Sequence, residues 1–439
     1  MVLGDDYPKA LAYLIFYNLK LKIPSMQKKI IIIIVLFNII SLIIFQWYLI
    51  FKFQTGFETD SYIASLVVPQ IIISIINSTL PFVLIPILAD LDSNKIQDYI
   101  CSIIFGFLFL SFFVTLILYF NINTLVLYSF PGFDYIKTKL TIELIKPQLI
   151  GININILNII IISYLSFKEK FIKIESSNLL VNFLALVLLI LFLPIYNIIL
   201  VPWLILLKNI ILLLILIYHT KLSILFIVNF KYVYNFYYKY INVFNGSLIL
   251  KSEPFVDRFI LSSDITGNLS TYYYCQQIYG IISTILSKAF IAPCLTKFSI
   301  LFKQKRILRI NNIYKNSLSI LSILSITSIL FILLFGDYIV DTISLLTNSK
   351  LAFNTFSPIL FLMSGYLIFG VLGELSSSLL FALRKSYILI KLSIITFFIF
   401  NTLKFLIYFE YGILGMALLS SAYLFINFAI QNNIILNKK

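Results

Sequence analysis

Apolar residues in this chain come in long, nearly unbroken runs, not in the alternating or one-faced patterns of a soluble domain. A helix crossing a hydrocarbon core of about 30 Å needs about 20 such residues. Twelve segments meet that length: about 29–51, 61–88, 99–121, 147–167, 178–197, 198–219, 244–265, 270–298, 313–336, 355–383, 386–408 and 411–432. The fifth and sixth are separated only by Pro194–Asn197, so hydropathy alone leaves eleven or thirteen open.

Basic residues set the orientation. Lys28 and Lys29 precede the first span, Lys168, Lys170 and Lys173 follow the fourth, and Lys221, Lys231 and Lys239 follow the sixth. Six more (Lys297, Lys303, Lys305, Arg306, Arg309 and Lys315) lie between the eighth and ninth; Arg384 with Lys385 and Lys438 with Lys439 complete the series. The alternate loops carry fewer, among them Lys137, so both termini are expected on the cytoplasmic side.

Composition excludes a soluble protein: 61% of the 439 residues are hydrophobic and the mean hydropathy is +1.02. Cys101, Cys275 and Cys294 fall within apolar segments and read as small buried hydrophobes, and His219 stands alone at a span end. No metal site, cofactor or catalytic constellation is expected. Residues 1–25 carry Asp5 and Asp6 and end near Pro24, just before Met26 and its lysines. A start at Met26 fits the first span best, with an interfacial segment as the alternative; a cleavable signal peptide is not expected.

One block of charge sits at membrane depth. Lys251, Glu253, Asp257 and Arg258 interrupt the seventh span around Pro254, and each ionisable group costs about 2.5–3.5 kcal/mol on insertion. Such groups face a wet cavity or one another. Either Lys251 and Arg258 offer a cationic site suited to phosphate, or the block is a self-neutralising set of ion pairs. Pro254 predicts a kink.

The second span places Gln70, Ser74, Asn77 and Pro81 on one helix face, and the eighth places Gln276, Gly280, Ser283 and Ser287 likewise, flanked by Gln277 and Lys288. In a bilayer these stripes face protein or water. Helix packing is the reading for the serines and glycine, a cavity wall for Gln276, Gln277 and Lys288. Lys208, Lys391 and Lys404 near span ends are expected to snorkel; Glu374 reads as a coupling or a structural residue. Asp90-Leu91-Asp92 looks like a glycosyltransferase DxD motif but falls in a short loop and reads as solvated.

A faint repeat links Gly56–Tyr62, opening the second span, with Gly267–Tyr273, opening the eighth; Pro86 and Pro293 are expected to close the two helices. Internal repeats are a common way for transporters to build a central site.

The stretch Gly56–Pro69 with Pro86 resembles the second-helix signature of the MviN/MurJ lipid II flippases, and Val256–Tyr274 resembles that family's helices seven and eight. The resemblance covers about a fifth of the chain. It implies the multidrug/oligosaccharidyl-lipid/polysaccharide exporter superfamily: an all-α membrane protein with two six-helix lobes forming a V around a central cationic cavity. The lobes are expected at 26–220 and 221–439. Asp60 looks like the family's aspartate at the mouth of the second helix. This chain carries Ile73 and Ser74 where lipid II flippases carry arginine, Gln276 and Gln277 in place of an acidic–arginine pair, and twelve spans instead of fourteen. Those departures look more like the Wzx-type flippases of O-antigen and capsule assembly.

The expectation is therefore a non-enzymatic flippase of undecaprenyl-pyrophosphate-linked repeat units in a bacterial inner membrane. Lys251, Arg258 and Lys288 are expected to hold the diphosphate, Gln70, Asn77, Gln276 and Gln277 the sugars, and Asp60, Asp257 and Glu374 to serve gating or coupling. A coupling ion (H+ or Na+) and polysaccharide assembly proteins are the candidate partners, and no nucleic acid. The alternatives are a cation-coupled multidrug exporter of the same architecture, a lipid II flippase, and a repeat-unit polymerase, against which the short outer loops count.

Overall fold

A computed structural model describes residues 25–92, 95–220, 228–347, 356–383 and 385–436, and nearly all of them are helical. In chain order the helices are α1 (Ser25–Phe53), α2 (Phe57–Asp90), α3 (Ile96–Phe120), α4 (Ile122–Ser129), α5 (Tyr135–Phe167), α6 (Phe171–Tyr196) and α7 (Leu200–Thr220). There follow α8 (Phe230–Lys251), α9 (Glu253–Leu261), α10 (Asn268–Leu286), a π segment (Ser287–Ile291), α11 (Ala292–Lys303), α12 (Ile307–Thr347), α13 (Ser357–Leu362), α14 (Ser364–Ala382) and α15 (Ser386–Leu436). Among the described residues nine helical segments are long and apolar enough to cross a membrane. The last of these, α15, joins the eleventh and twelfth expected spans across a break at Gly412 (φ 54°, ψ −143°).

The seventh and eighth expected spans depart most from the sequence reading. The seventh begins at Phe230, not near 244, and is broken at Ser252 with Pro254 in the first turn of α9. Residues 230–243 look like a polar loop because they carry Lys231, Lys239 and many tyrosines. Their buried face is aromatic: Phe236 and Tyr240 lie 5.7 and 5.4 Å from Phe107 of α3, and Thr79 of α2 donates to the Tyr240 hydroxyl at 2.9 Å. Tyrosine supplies an apolar body with a polar tip, so a helix rich in it embeds without a high hydropathy score.

Neither expected proline stop holds. Helix α2 runs past Pro86 to Asp90. The eighth helix continues past Pro293 to Lys303, with a π segment directly before it. Proline removes one backbone bond and crowds the carbonyl four residues back, here that of Ala289; a wider turn relieves the clash without ending the helix. Helix α5 begins at Tyr135, well before Pro147, because Asp134 caps it by accepting the Lys137 N–H at 2.8 Å.

The chain divides into two compact units, one of Ile30–Ser270 and the other containing Thr271–Lys439. The division lies C-terminal to the junction expected at 220–221, and α8 packs on α2 and α3 inside the first unit. That unit's core is built from rows at i, i+4, i+8: Leu80, Leu84 and Leu88 of α2 with Ile152, Ile156 and Ile160 of α5. In a bilayer such helices are held by close van der Waals fit and interhelical hydrogen bonds. Asn182 of α6 donates to Asn38 of α1 at 2.6 Å, and Asn158 of α5 to the Asn209 carbonyl of α7 at 3.1 Å.

The second unit has its own polar ties. Tyr314 of α12 pairs with Ser376 of α14 at 2.8 Å and donates to Asn432 of α15 at 2.9 Å, and Thr396 donates to Asn427 at 3.0 Å. Lys404 does not snorkel: it is fully buried, two turns before Gly412, on the inward helix face that also carries Phe400.

Candidate functional site

Two charged centres lie along α2 in the first unit. The upper one starts at Gly56, where Thr59 Oγ1 accepts the Gly56 N–H at 2.8 Å and donates to its carbonyl at 2.9 Å. This fixes the first turn and turns Asp60 inward. The buried Asp60 carboxylate accepts the Gly267 N–H at 2.7 Å on Oδ2 and the Ser270 N–H at 2.9 Å on Oδ1. Those N–H groups begin α10, where backbone donors lack intrahelical partners and a negative charge is favoured. Gly267 has φ +100°, which a side chain rarely tolerates. The two arms of the sequence repeat thus meet: Asp60 of one holds the opening of the other.

Lys137, a loop lysine on sequence, joins this centre. Its Nζ lies 3.6 Å from Asp60 Oδ2 and donates to Thr266 Oγ1 at 3.0 Å, with the Phe133 ring 5.3 Å beneath it. Both members of the pair are buried. Close packing seals the region: a Cβ on Gly132 would lie 2.3 Å from Ser263 Cα and 2.5 Å from the Ser262 carbonyl oxygen. The short spacing between Asp134, which caps α5, and Lys137 was the available signal for Lys137.

The lower centre is Arg258. From α9 its guanidinium donates to the Ile63 carbonyl at 3.3 Å and to Gln70 Oε1 at 3.2 Å, spanning two turns of α2. Arg258 and its neighbour Asp257 are buried. Gln70 and Asn77 are exposed on one face of α2, as their i, i+7 spacing requires. Ser74, between them, donates to the Ile71 carbonyl at 2.9 Å and is satisfied within its own helix. Gln148 of α5, which the sequence reading missed, donates to Ser65 Oγ at 2.7 Å on the opposite side of α2.

Not every expected phosphate ligand joins Arg258. Lys251 is exposed and lies on α8, before the break at Ser252, whereas Arg258 lies after it. The break disrupts the helical register that would align them. Lys288 falls in the π segment, and its side chain lies outside the described residues.

In the second unit Gln276 and Gln277 are half-buried on α10. That helix is anchored by Tyr272 against Ser420 at 2.7 Å and by Tyr279 donating to the Leu360 carbonyl at 2.6 Å. Glu374 of α14 is exposed and accepts the Ser287 hydroxyl from the first residue of the π segment.

The helical fold is that of the multidrug/oligosaccharidyl-lipid/polysaccharide exporter superfamily of transporters, as solved structures and a family profile show. One is the lipid II flippase MurJ in its inward closed conformation, at TM-score 0.76 and 17% identity, covering 92% of this chain and 88% of the other. Another is the inward-facing form of a MATE family multidrug resistance transporter, at TM-score 0.74 and 14% identity, covering 97% and 98%. A MATE transporter in complex with MaD3S follows at TM-score 0.61 and 13% identity, covering 93% and 96%. The lipid II flippase MurJ family profile matches residues 51–438, and the chain belongs to that family. No curated protein matches the sequence.

Proposed function

We propose that the protein flips a polyprenyl-diphosphate-linked saccharide across the bacterial cytoplasmic membrane by alternating access, with both termini cytoplasmic. The observation that carries this reading is Arg258, a buried guanidinium that shares Gln70 with the exposed face bearing Asn77. Arginine's planar fork suits phosphate oxygens, and carboxamides suit sugar hydroxyls. Gln276 and Gln277, half-buried on α10, are the candidates for further sugar contacts. Asp60 closes one end of the pathway through its hold on α10; Asp257 and Glu374 are the candidates for coupling to H+ or Na+. A negative headgroup leaving a negative interior gains about 2.3 kcal/mol per charge for each 100 mV.

The substrate reading is an undecaprenyl-pyrophosphate-linked repeat unit of O-antigen or capsule. Ile73 and Ser74 leave α2 without a cation at those positions, and Gln276 and Gln277 give α10 carboxamides. A second reading, lipid II itself, is favoured by the family match over residues 51–438. Complementation separates them. Rescue of a strain lacking its repeat-unit flippase, without rescue of one depleted of its lipid II flippase, is the expected result. The reverse pattern assigns lipid II, and rescue of neither removes the flippase reading.

A further inference from the structure

Lys208 is a cation near the middle of a membrane span. Its helix, α7 (Leu200–Thr220), is about 30 Å long, the thickness of a hydrocarbon core. The two ends lie about 12 and 18 Å from Lys208 along the axis, farther than a four-carbon stem reaches. The snorkelling expected from the sequence is not open to it. Nor does the residue sit on the lipid face. The exposed stripe of α7 runs through Trp203, Leu207, Ile210, Leu214 and Tyr218, and Lys208 lies off it, half-buried. It shares a face with His219, three turns on, which the charges of Lys170 and Lys173 at the opening of α6 reach. That face looks toward α6.

Among the described residues the Lys208 amine has neither a hydrogen bond nor an ion pair. The helices packed on α7 are α5 and α6, and at this level neither carries an acid or any other ionisable group. The nearest are Lys146 and Tyr164 on α5, Glu175 and Tyr196 on α6, and Tyr218 and His219 on α7 itself. An ammonium out of water with no counter-charge is costly, whereas a neutral amine makes no such demand. An acceptor stands open beside it. Asn158 of α5 donates through Nδ2 to the Asn209 carbonyl at 3.1 Å, and its Oδ1 is buried with no donor among the described residues. A buried carbonyl oxygen suits an N–H donor and not an anion. A donor without an acceptor and an acceptor without a donor thus meet at neighbouring positions of α7.

We infer that Lys208 is the proton-carrying group of the transport cycle, an inference that rests on the proposed flippase function and makes H+ the coupling ion. In the conformation described the amine is neutral. Uptake of H+ from the outer side forms one N–H bond, and the ammonium turns on its flexible stem to donate to Asn158 Oδ1. Release of H+ to the cytoplasm breaks one N–H bond and frees the amide oxygen again. Nothing is oxidised or reduced. Protonation thereby switches a tie between α7 and α5, and an inward proton accompanies the outward headgroup. Ionisable side chains inside spans serve as proton relays in other transporters for the same reason: their charge is costly in one state and satisfied in the other.

NMR tests this independently of transport. Full-length protein labelled with 15N at lysine Nζ is held in lipid bilayers and titrated. One signal, missing in both Lys208→Met and Lys208→Gln, is expected to change charge state between about pH 6 and pH 9, where ordinary lysines keep their proton. A Lys208 signal that keeps one charge state throughout overturns the proposal. Proteoliposomes test the coupling. A proton gradient opposed to lipid movement should speed wild-type flipping of an undecaprenyl-diphosphate oligosaccharide severalfold. Lys208→Met has no proton to exchange and Lys208→Arg does not release its own, so both should lose that acceleration. Acceleration retained by Lys208→Met overturns the proposal, as does wild-type flipping indifferent to the gradient. A titrating Lys208 in a protein that flips no saccharide leaves the proton site standing and strikes at the flippase reading instead.

Discussion

Lys137 Nζ stands 3.6 Å from Asp60 Oδ2, while both oxygens of that carboxylate accept backbone N–H groups at the opening of α10. One buried acid thereby joins three elements: α2, α5 and the loop that follows α9. Removing one member of a buried pair leaves the other uncompensated, at a cost of about 3–5 kcal/mol. Asp60→Ala is expected to lower the thermal midpoint of the purified protein strongly. Lys137→Met alone should cost less, because the two backbone donors still hold the carboxylate. In the double variant the effects should be less than additive; strict additivity in a thermal-shift cycle would show that the two side chains do not interact.

Arg258 reaches two acceptors through two separate nitrogens of a planar head, a geometry that the single ammonium of lysine does not reproduce. Arg258→Lys should therefore abolish transport nearly as fully as Arg258→Ala while membrane abundance stays at the wild-type level. Quantitative immunoblotting beside a surface-polysaccharide assay measures both. Normal export by Arg258→Ala removes this residue from the mechanism.

Gly132 packs so closely on the backbone of Ser262 and Ser263 that a methyl group there forces the turn and the loop apart. Overpacking of this kind costs about 1–3 kcal/mol. Gly132→Ala should lower the thermal midpoint, whereas Gly56→Ala, whose Cβ meets nothing within 4 Å, should have a smaller effect. Equal shifts would contradict the close approach.

Asp92 lies outside the spans and accepts from Lys95 at 2.7 Å; that hydrogen bond and the lysine's charge hold its carboxyl below the usual range. A depressed carboxyl pKa makes a contribution that is present above the unfolded value and lost only as pH falls through the folded one. No change is expected through the neutral range. Asp92→Asn should leave transport and its neutral pH profile unaltered, and a requirement for Asp92 together with a divalent cation would restore the DxD reading.

Hydrophobic run length was enough to place most of the helices, because length and polarity alone decide which segments can lie in hydrocarbon. It misplaced the seventh, whose tyrosines and lysines lower the mean hydropathy of residues 230–243 while Phe236 and Tyr240 bury one face. The family resemblance marked Asp60 but not its partner, since Lys137 lies far along the chain and reads as one more loop cation. Lys251 and Arg258 look equivalent in a continuous helix. The break at Ser252 separates them, and nothing short of the backbone path shows that the arginine is buried and the lysine exposed. Lys404 was misread for a similar reason: nearness to a span end says nothing about which face meets a neighbouring helix.

The most direct test is reconstitution. Purified protein in proteoliposomes receives a fluorescent undecaprenyl-diphosphate oligosaccharide, and a membrane-impermeant quencher reports the fraction in each leaflet over time. Redistribution between leaflets by the wild type, lost in Arg258→Ala at equal reconstitution, is the predicted result. Leaflet asymmetry that persists with wild-type protein, or that decays equally fast with Arg258→Ala, would contradict a flippase built around this arginine.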